Sequence, residues 1–353
     1  MSMLRHRLNQ LSYAALLLLG VSNLSLAADE ADSSLQQVSI HDPVMAKEGE
    51  RYYLFSTGPG ITFYSSKDKE SWQLEGRVFA DQPQWASTAV PGFAGHLWAP
   101  DIFYHQGKYY LYYSVSAFGK NTSAIGVTVN RTLDPDSPDY QWRDQGMVLQ
   151  SVPHRDLWNA IDPNIIADDN GDVWMSFGSF WGGLKLVKLA PSLTRLAEPQ
   201  EWYTLAKQAR PAFTDDAEAG PAEIEAPFIF KHNDYYYLFM SLGKCCRGAD
   251  STYHLAVGRA KQVTGPYLDK QGKDLAAGGG SVILQGNNDW PGLGHNSTYH
   301  FEGQDYLVFH AYEQADNGLQ KLKILPINWS DGWPEVDPKG LDSYHSELIS
   351  PKS

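Results

Sequence analysis

Cysteine is nearly absent. Two residues in 353, Cys245 and Cys246, are all there is, and they are adjacent. That count excludes a disulfide framework, and without a second cysteine pair it argues against a structural zinc site. Neighbouring cysteines can bond only as an eight-membered ring, because ordinary bridges span Cα separations of about 4.4–6.8 Å. Two unlinked thiols are the alternative. Long apolar runs are also missing. The run from Ala14 to Val21 is too short to cross a bilayer. With Arg5, His6 and Arg7 before it and Ser25-Leu26-Ala27 after it, it has the layout of a secretory leader cut after Ala27. Residues 1–27 are therefore expected to be removed and residues 28–353 exported, to the periplasm or the medium, an uncleaved lipid or membrane anchor being the alternative. Basic clusters are the third absence. Against 28 Lys and Arg stand 41 Asp and Glu, a net charge of -13, and losing the two leader arginines makes the mature chain more acidic still. Such a surface repels phosphate, which speaks against nucleic acid and anionic membranes as partners. Helical periodicity is scarce; only the stretch from Trp202 to Gln208 fits a short helix. No G-x-S-x-G elbow, H-E-x-x-H pair or Walker lysine loop occurs.

What the chain does have is aromatic residues, 13% of the total with 11 Trp and 20 Tyr, and a repeat. Five times a short apolar opening is followed by a polar or Gly-containing turn and an aromatic strand. The openings are His41-Asp42-Pro43, Trp98-Ala99-Pro100, Ile161-Asp162-Pro163, Glu225-Ala226-Pro227 and Gly294-His295-Asn296. Aligned on Pro43, Pro100, Pro163, Pro227 and Asn296, they are spaced 57, 63, 64 and 69 residues apart. A third strand follows in each unit, and Trp72, Trp142, Trp202 and Trp329 mark a fourth, outer element. Strands of four to eight residues rich in Tyr, Val, Ile and Trp read as antiparallel sheet. Five four-stranded units predict an all-β, five-bladed β-propeller over residues 28–353. A two-sheet sandwich, the competing architecture, does not predict five matched units. Asp168-Asp169-Asn170-Gly171-Asp172 lacks the glycine register and closing Glu of a calcium loop and reads as a hairpin turn.

In a propeller the start of each innermost strand faces the central channel, so the openings bring Asp42, Asp162, Glu225, Trp98 and His295 together. Carboxylates gathered among aromatics raise one another's pKa, and a fold that holds such a cluster uses it for chemistry or a metal. Glycoside hydrolysis needs one protonated and one ionised carboxyl. Taken singly, the Asp-Pro pairs also suit strand starts, and His295 suits either a satisfied polar histidine or an ion ligand. Glu225 sits one position before the slot of the two aspartates, which demands a bend at that strand's start.

At this point the chain resembles family 43 glycoside hydrolases, specifically the arabinanases. The resemblance rests on the five openings with Gly95-His96-Leu97-Trp98-Ala99-Pro100-Asp101, Ser116-Ala117-Phe118-Gly119, Trp158-Asn159-Ala160-Ile161-Asp162-Pro163 and Gly178-Ser179-Phe180-Trp181-Gly182-Gly183. It covers essentially the whole mature chain. It implies endo-cleavage of α-1,5-linked L-arabinofuranosyl bonds in arabinan with inversion, by Asp42 as general base, Glu225 as general acid and Asp162 raising the acid's pKa. Trp98, Phe118, Gly119, Asn159, Ile161, Ser179, Phe180 and Trp181 would line the sugar subsites. One calcium ion, held through water, would lie on the axis near His295, with no organic cofactor. The enzyme is expected to act as a monomer on the polysaccharide. An exo-acting arabinofuranosidase or β-xylosidase on the same scaffold, and a non-catalytic sugar-binding propeller, are the rival expectations.

Overall fold

The aromatic runs that punctuate the sequence are buried on both faces, which explains why they are nearly continuous rather than alternating. In a computed structural model, which describes residues 37–349, each run forms the second strand of a four-stranded antiparallel blade. The leader expected over residues 1–27 lies outside the described residues.

The blades follow one another along the chain. The first comprises β1 (Val44–Glu48), β2 (Arg51–Ser56), β3 (Thr62–Ser66) and β4 (Ser71–Arg77). The second comprises β5 (Trp98–His105), β6 (Lys108–Val115), β7 (Ser123–Asn130) and β8 (Arg143–Ser151). The third comprises β9 (Asn164–Ala167), β10 (Val173–Phe177), β11 (Leu184–Lys188) and β12 (Trp202–Ala206). The fourth comprises β13 (Ile224–His232), β14 (Tyr235–Leu242), β15 (His254–Ala260) and β16 (Ser281–Gln285). The fifth comprises β17 (Leu293–Phe301), β18 (Gln304–Glu313), β19 (Leu319–Ser330) and β20 (Trp333–Glu335). A last strand, β21 (Glu347–Ile349), pairs in parallel with the outer edge of β4, and Leu322 of β19 donates to Val38 near the chain's start. The two ends of the described chain are thus tied to opposite sides of the seam between the fifth and first blades.

Five apolar cores lie between five adjacent blade pairs, which is what closes the ring. Phe55 and Leu111 share the core of the first and second blades, Tyr112 and Phe177 that of the second and third. Leu186 with Leu238 and Phe239 with Phe309 continue the series, and Leu54 with Val308 completes it across the seam. No single core exists to be filled; each blade is stable only between its neighbours.

Two expectations need correction. Trp202–Ala206 is the outer strand β12, not a helix; Trp202 packs on Trp158 at 5.2 Å, and aromatic and β-branched residues favour an extended edge. Trp329 ends the third strand of its blade rather than marking the fourth, held by stacking on His232 at 3.7 Å. The Asp168–Asp172 segment is the turn between β9 and β10, as read.

All five blades share one distortion at their openings. Asp42, Ala99, Asp162, Ala226 and His295 have left-handed backbones, with φ of 54, 43, 59, 55 and 51°. None is glycine, and each such residue costs on the order of 1–3 kcal/mol. The register breaks beside them in β5, β13 and β17. A bulge of this kind turns two successive side chains toward the same side. It is the bend that Glu225 required.

Candidate active site

The bulges are held by a ring of hydrogen bonds between blades. The backbone N–H of each left-handed residue donates to a side chain of the preceding blade. Ala99 donates to Thr57 Oγ1 at 2.8 Å, Asp162 to Ser114 Oγ at 3.0 Å, His295 to Ser241 Oγ at 2.8 Å and Asp42 to His310 Nδ1 at 3.2 Å. The equivalent position in the third blade is Gly178, which has no side chain; a Cβ there would sit 2.9 Å from Gly183 O. The Asp162 carboxylate takes over, accepting from Ala226 N–H at 3.1 Å. Asp162 therefore fixes the backbone beside Glu225.

Above this ring lies a cavity of ≈ 400 Å³. Asp42, Asp162, Glu225 and His295 all line it, as do Trp98, Phe118, Gly119, Asn159, Ile161, Ser179, Phe180 and Trp181. Every site residue read from the sequence is thus brought to one cavity, though not in one role. Phe118 is 81% exposed and offers an uncovered ring at the rim. Trp181 is buried, its indole N–H donating to Asp216 O at 2.9 Å, so it supports the wall. Asn159 is buried with its Oδ1 unpartnered, leaving an acceptor for a sugar hydroxyl. Ser179 donates to Glu225 Oε2 at 2.8 Å and so acts on a carboxylate directly.

The carboxyls sit in opposed environments. Burial alone would push Asp42 up, but the imidazoles of His295 and His41, with His310 behind them, hold it well below the usual carboxylate range. Its Oδ1 is 2.8 Å from His41 Nδ1 and 3.1 Å from His295 Nδ1, and Oδ2 accepts from Thr57 Oγ1 at 2.5 Å. Burial pushes the imidazoles of His295 and His310 down, against the attraction of Asp42. His41 is raised instead, because Asp42 and Glu225 outweigh burial. Asp162 and Glu225 both move up. Burial is the main cause for each; Glu225 and Asp42 repel the Asp162 charge, and Asp42 repels that of Glu225, against hydrogen bonds from Ser179 and Tyr253. A carboxylate held low and a pair of carboxyls pushed up, which repel each other's charge and so favour one proton between them, can serve as base and acid at a single pH.

Comparison with known proteins agrees with this geometry. The profile of glycosyl hydrolases family 43 matches residues 33–334. The chain belongs to that family. It is 64% identical over 330 residues to an extracellular exo-α-(1→5)-L-arabinofuranosidase of Cellvibrio japonicus, covering 93% of this chain and 95% of the other. It is 43% identical over 304 residues to an extracellular endo-α-(1→5)-L-arabinanase of Bacillus subtilis, covering 84% and 87%. A solved α-L-arabinanase of Cellvibrio cellulosa complexed with arabinohexaose superposes with a TM-score of 0.88 at 66% identity, covering 89% of this chain and all of the other.

This family 43 site also contains residues that motif reading left without a role. His41 and Thr57 contact the base directly. Tyr253 is buried beneath the carboxyls, its hydroxyl without a well-aligned partner and close enough to Glu225 to favour the ionised acid. Thr57, Ser114, Ser241 and His310 each lie 14 residues after the aligned Pro43, Pro100, Pro227 and Asn296, a signal present in the sequence. Cys245 and Cys246 are joined to each other, which decides between the two states open to them, and they form part of the cavity wall.

An axial calcium was the expected ion. A protein-built calcium site supplies six to eight oxygens. Among the described residues the axial donors are instead His41, Asp42 and His310, grouped within 4.8 Å, with His295 Nδ1 facing Asp42. Imidazole nitrogen dominates, so these residues do not form a calcium cage.

Proposed function

We propose that this family 43 hydrolase cleaves α-1,5-linked L-arabinofuranosyl bonds of arabinan with inversion, Asp42 acting as general base, Glu225 as general acid and Asp162 as the group that orients Glu225 and sustains its raised pKa. The observation that carries the reading is the opposed pKa displacement of carboxyls in one sugar-sized cavity. Asp42, held ionised, accepts a proton from water. Glu225, holding its proton longer than an exposed glutamate, delivers it to the leaving glycosidic oxygen. Phe118 and Trp98 offer rings to the flat apolar faces of the sugars, and Asn159 Oδ1 accepts a hydroxyl.

The motifs suggested endo action. The 64% identity to an exo-named enzyme against 43% to an endo-named one favours release from a chain end, and this is the mode proposed. Purified mature protein incubated with debranched linear arabinan would release one short product from the earliest time points; a ladder of sizes at first sampling would restore the endo mode. No reducing ends from arabinan, xylan or aryl arabinosides would leave a non-catalytic sugar-binding propeller. Early product anomers read by proton NMR test inversion.

The leader expected over residues 1–27 and the names of both extracellular relatives support export, checked by the N-terminal sequence of secreted protein; that the exported chain is a monomer is part of the proposal, checked by its light-scattering mass. No helix among the described residues is long and apolar enough to cross a membrane. Calcium remains proposed only as a fully hydrated ion near His295, to be tested by metal analysis after chelation.

A further inference from the structure

The Cys245–Cys246 disulfide lies in the cavity wall, yet nothing in the reaction uses it. Its surroundings give it a path to the base. The backbone N–H of Cys246 donates to Tyr312 Oη at 2.8 Å. Tyr312 Oη lies 3.0 Å from His41 Nε2, and His41 Nδ1 lies 2.8 Å from Asp42 Oδ1. Directions along this chain follow from donor chemistry. The amide can only donate, so Tyr312 accepts there. An ionised carboxylate can only accept, so His41 Nδ1 carries a proton. In the neutral imidazole Nε2 is then the acceptor, and Tyr312 O–H supplies the bond. In the imidazolium Nε2–H donates to the second lone pair of the same oxygen, and the path survives. Tyr312 keeps its proton because burial pushes the phenol up.

We infer that the Cys245–Cys246 disulfide is a positioning element for the reaction, holding Asp42 in place through Tyr312 and His41. This rests on Asp42 being the base. Cys246 has a left-handed backbone, φ 61°, an arrangement unfavourable to a non-glycine residue. Covalent closure of the 245–246 pair holds that amide on Tyr312. Cys246 is solvent-exposed and reachable by a dithiol. Reduction breaks the S–S bond, converts the two cysteines to thiols and oxidises the dithiol to its cyclic disulfide. The loop is then free to relax, the amide leaves Tyr312, Cys246 Sγ leaves its place 3.9 Å from His41 Nε2, and the hydroxyl that anchors His41 loses its own fixed donor, while His41 keeps Asp42 and the stacked ring of His310.

The test compares the mature enzyme with and without dithiol, reduction being verified by alkylation and mass measurement. On a soluble arabino-oligosaccharide, kcat falls about ten- to a hundredfold, the scale of a misplaced catalytic group, with KM unchanged and full recovery on reoxidation. Tyr312→Phe loses kcat to a similar degree and shows a smaller further loss with dithiol than the wild type, since both changes cut the Tyr312 path and only the 3.9 Å contact of Cys246 Sγ with His41 Nε2 is left to lose. In protein carrying 15N-labelled histidine, at a pH where His41 is neutral, its signals move away from the Nδ1–H pattern on reduction. Unchanged kcat in verified reduced enzyme overturns the inference. So does a rise in KM alone, which would make the disulfide a sugar contact, or undiminished dithiol sensitivity in Tyr312→Phe. If the wild type lacks activity on every arabinoside, the proposed function fails, and the histidine signals still judge the relay.

Discussion

Ser179→Ala should make this enzyme work at higher pH. Ser179 Oγ donates to Glu225 Oε2 at 2.8 Å, and that bond favours the ionised acid. A hydrogen bond to a charged group is worth about 1.5–3 kcal/mol and one to a neutral group about 1. The bond thus favours the carboxylate over the carboxylic acid by roughly 0.5–2 kcal/mol, and each 1.36 kcal/mol is one pKa unit. Removing the hydroxyl should raise the pKa of Glu225 by about one unit. The sign follows from the role: a general acid works while protonated, so a higher pKa extends activity upward. The alkaline limb of kcat against pH should move up by about one unit. The acid limb, set by Asp42, should stay in place, because Ser179 does not touch Asp42. A weaker acid delivers its proton less readily, so the plateau should fall severalfold. The assay is reducing-end release from linear arabinan across pH at saturating substrate. An alkaline limb that stays put or moves down would refute both the Ser179 effect and the assignment of that limb to Glu225.

Asp42→Asn and Glu225→Gln should each lower kcat on arabinan by about 10²–10⁴ with the melting temperature nearly unchanged. Glu225→Gln alone should retain activity on an aryl arabinoside whose leaving group needs no proton; equal losses on both substrates would remove Glu225 from the acid role. Gly294→Ala would place a Cβ 2.2 Å from Tyr253 Cδ1 and Cε1, an overpacking that costs about 1–3 kcal/mol and displaces the ring under the carboxyls. Calorimetry should show a fall in melting temperature together with lost turnover. Phe118→Ala should leave the melting temperature alone and raise KM on arabinan about two- to thirteenfold, as expected for losing about 0.5–1.5 kcal/mol of ring contact; an unchanged KM would mean the exposed ring touches no sugar.

The blade repeat was legible because its cause is local. A strand covered on both faces must be apolar throughout, and Tyr109–Tyr113 or Tyr236–Met240 announce this without any knowledge of their partners. The site was legible for a different reason. Ring geometry brings the five openings together whatever the loops do, so Asp42, Asp162 and Glu225 could be gathered from alignment alone. What stayed hidden depends on contacts across blades. Tyr253 approaches Glu225 only because Gly294 leaves space for its ring. His310 meets Asp42 across the seam between the last blade and the first. Trp202–Ala206 looked helical because an edge strand of five residues carries too few residues to show a period, and Trp329 looked terminal because aromatic residues mark both the third and fourth strands of the last blade. The disulfide could not be decided from count, since adjacency permits either state.

One backbone distortion repeated five times, with acids at only three of the five sites, also explains how the site is specified. The left-handed residue turns its own side chain and the one before it into the channel, so each blade offers two positions, ten in all around the axis. Alanine at 99 and 226 fills the second position of two blades with a group too short to reach, and there the first position, Trp98 or Glu225, supplies the function. Asp42, Asp162 and His295 use the second position instead. Glu225 therefore enters from a different height than the two aspartates, although all three descend from the same turn. The hydrogen-bonded ring beneath them then divides the labour. Thr57, Ser114 and Ser241 hold bulges with hydroxyls and His310 with an imidazole, Thr57 also touching the base. Only at the third blade is that support missing, because Gly178 has no side chain, and there a carboxylate holds the neighbour's backbone while facing Glu225. Asp162 is thus structural toward Ala226 and electrostatic toward Glu225 at once. Asp162→Asn should separate the two functions: the amide oxygen can still accept from Ala226 N–H, so melting temperature should hold, while the lost negative charge should lower the alkaline limb of the pH profile. An unchanged alkaline limb with a normal melting temperature would show that Asp162 holds the backbone and does nothing more.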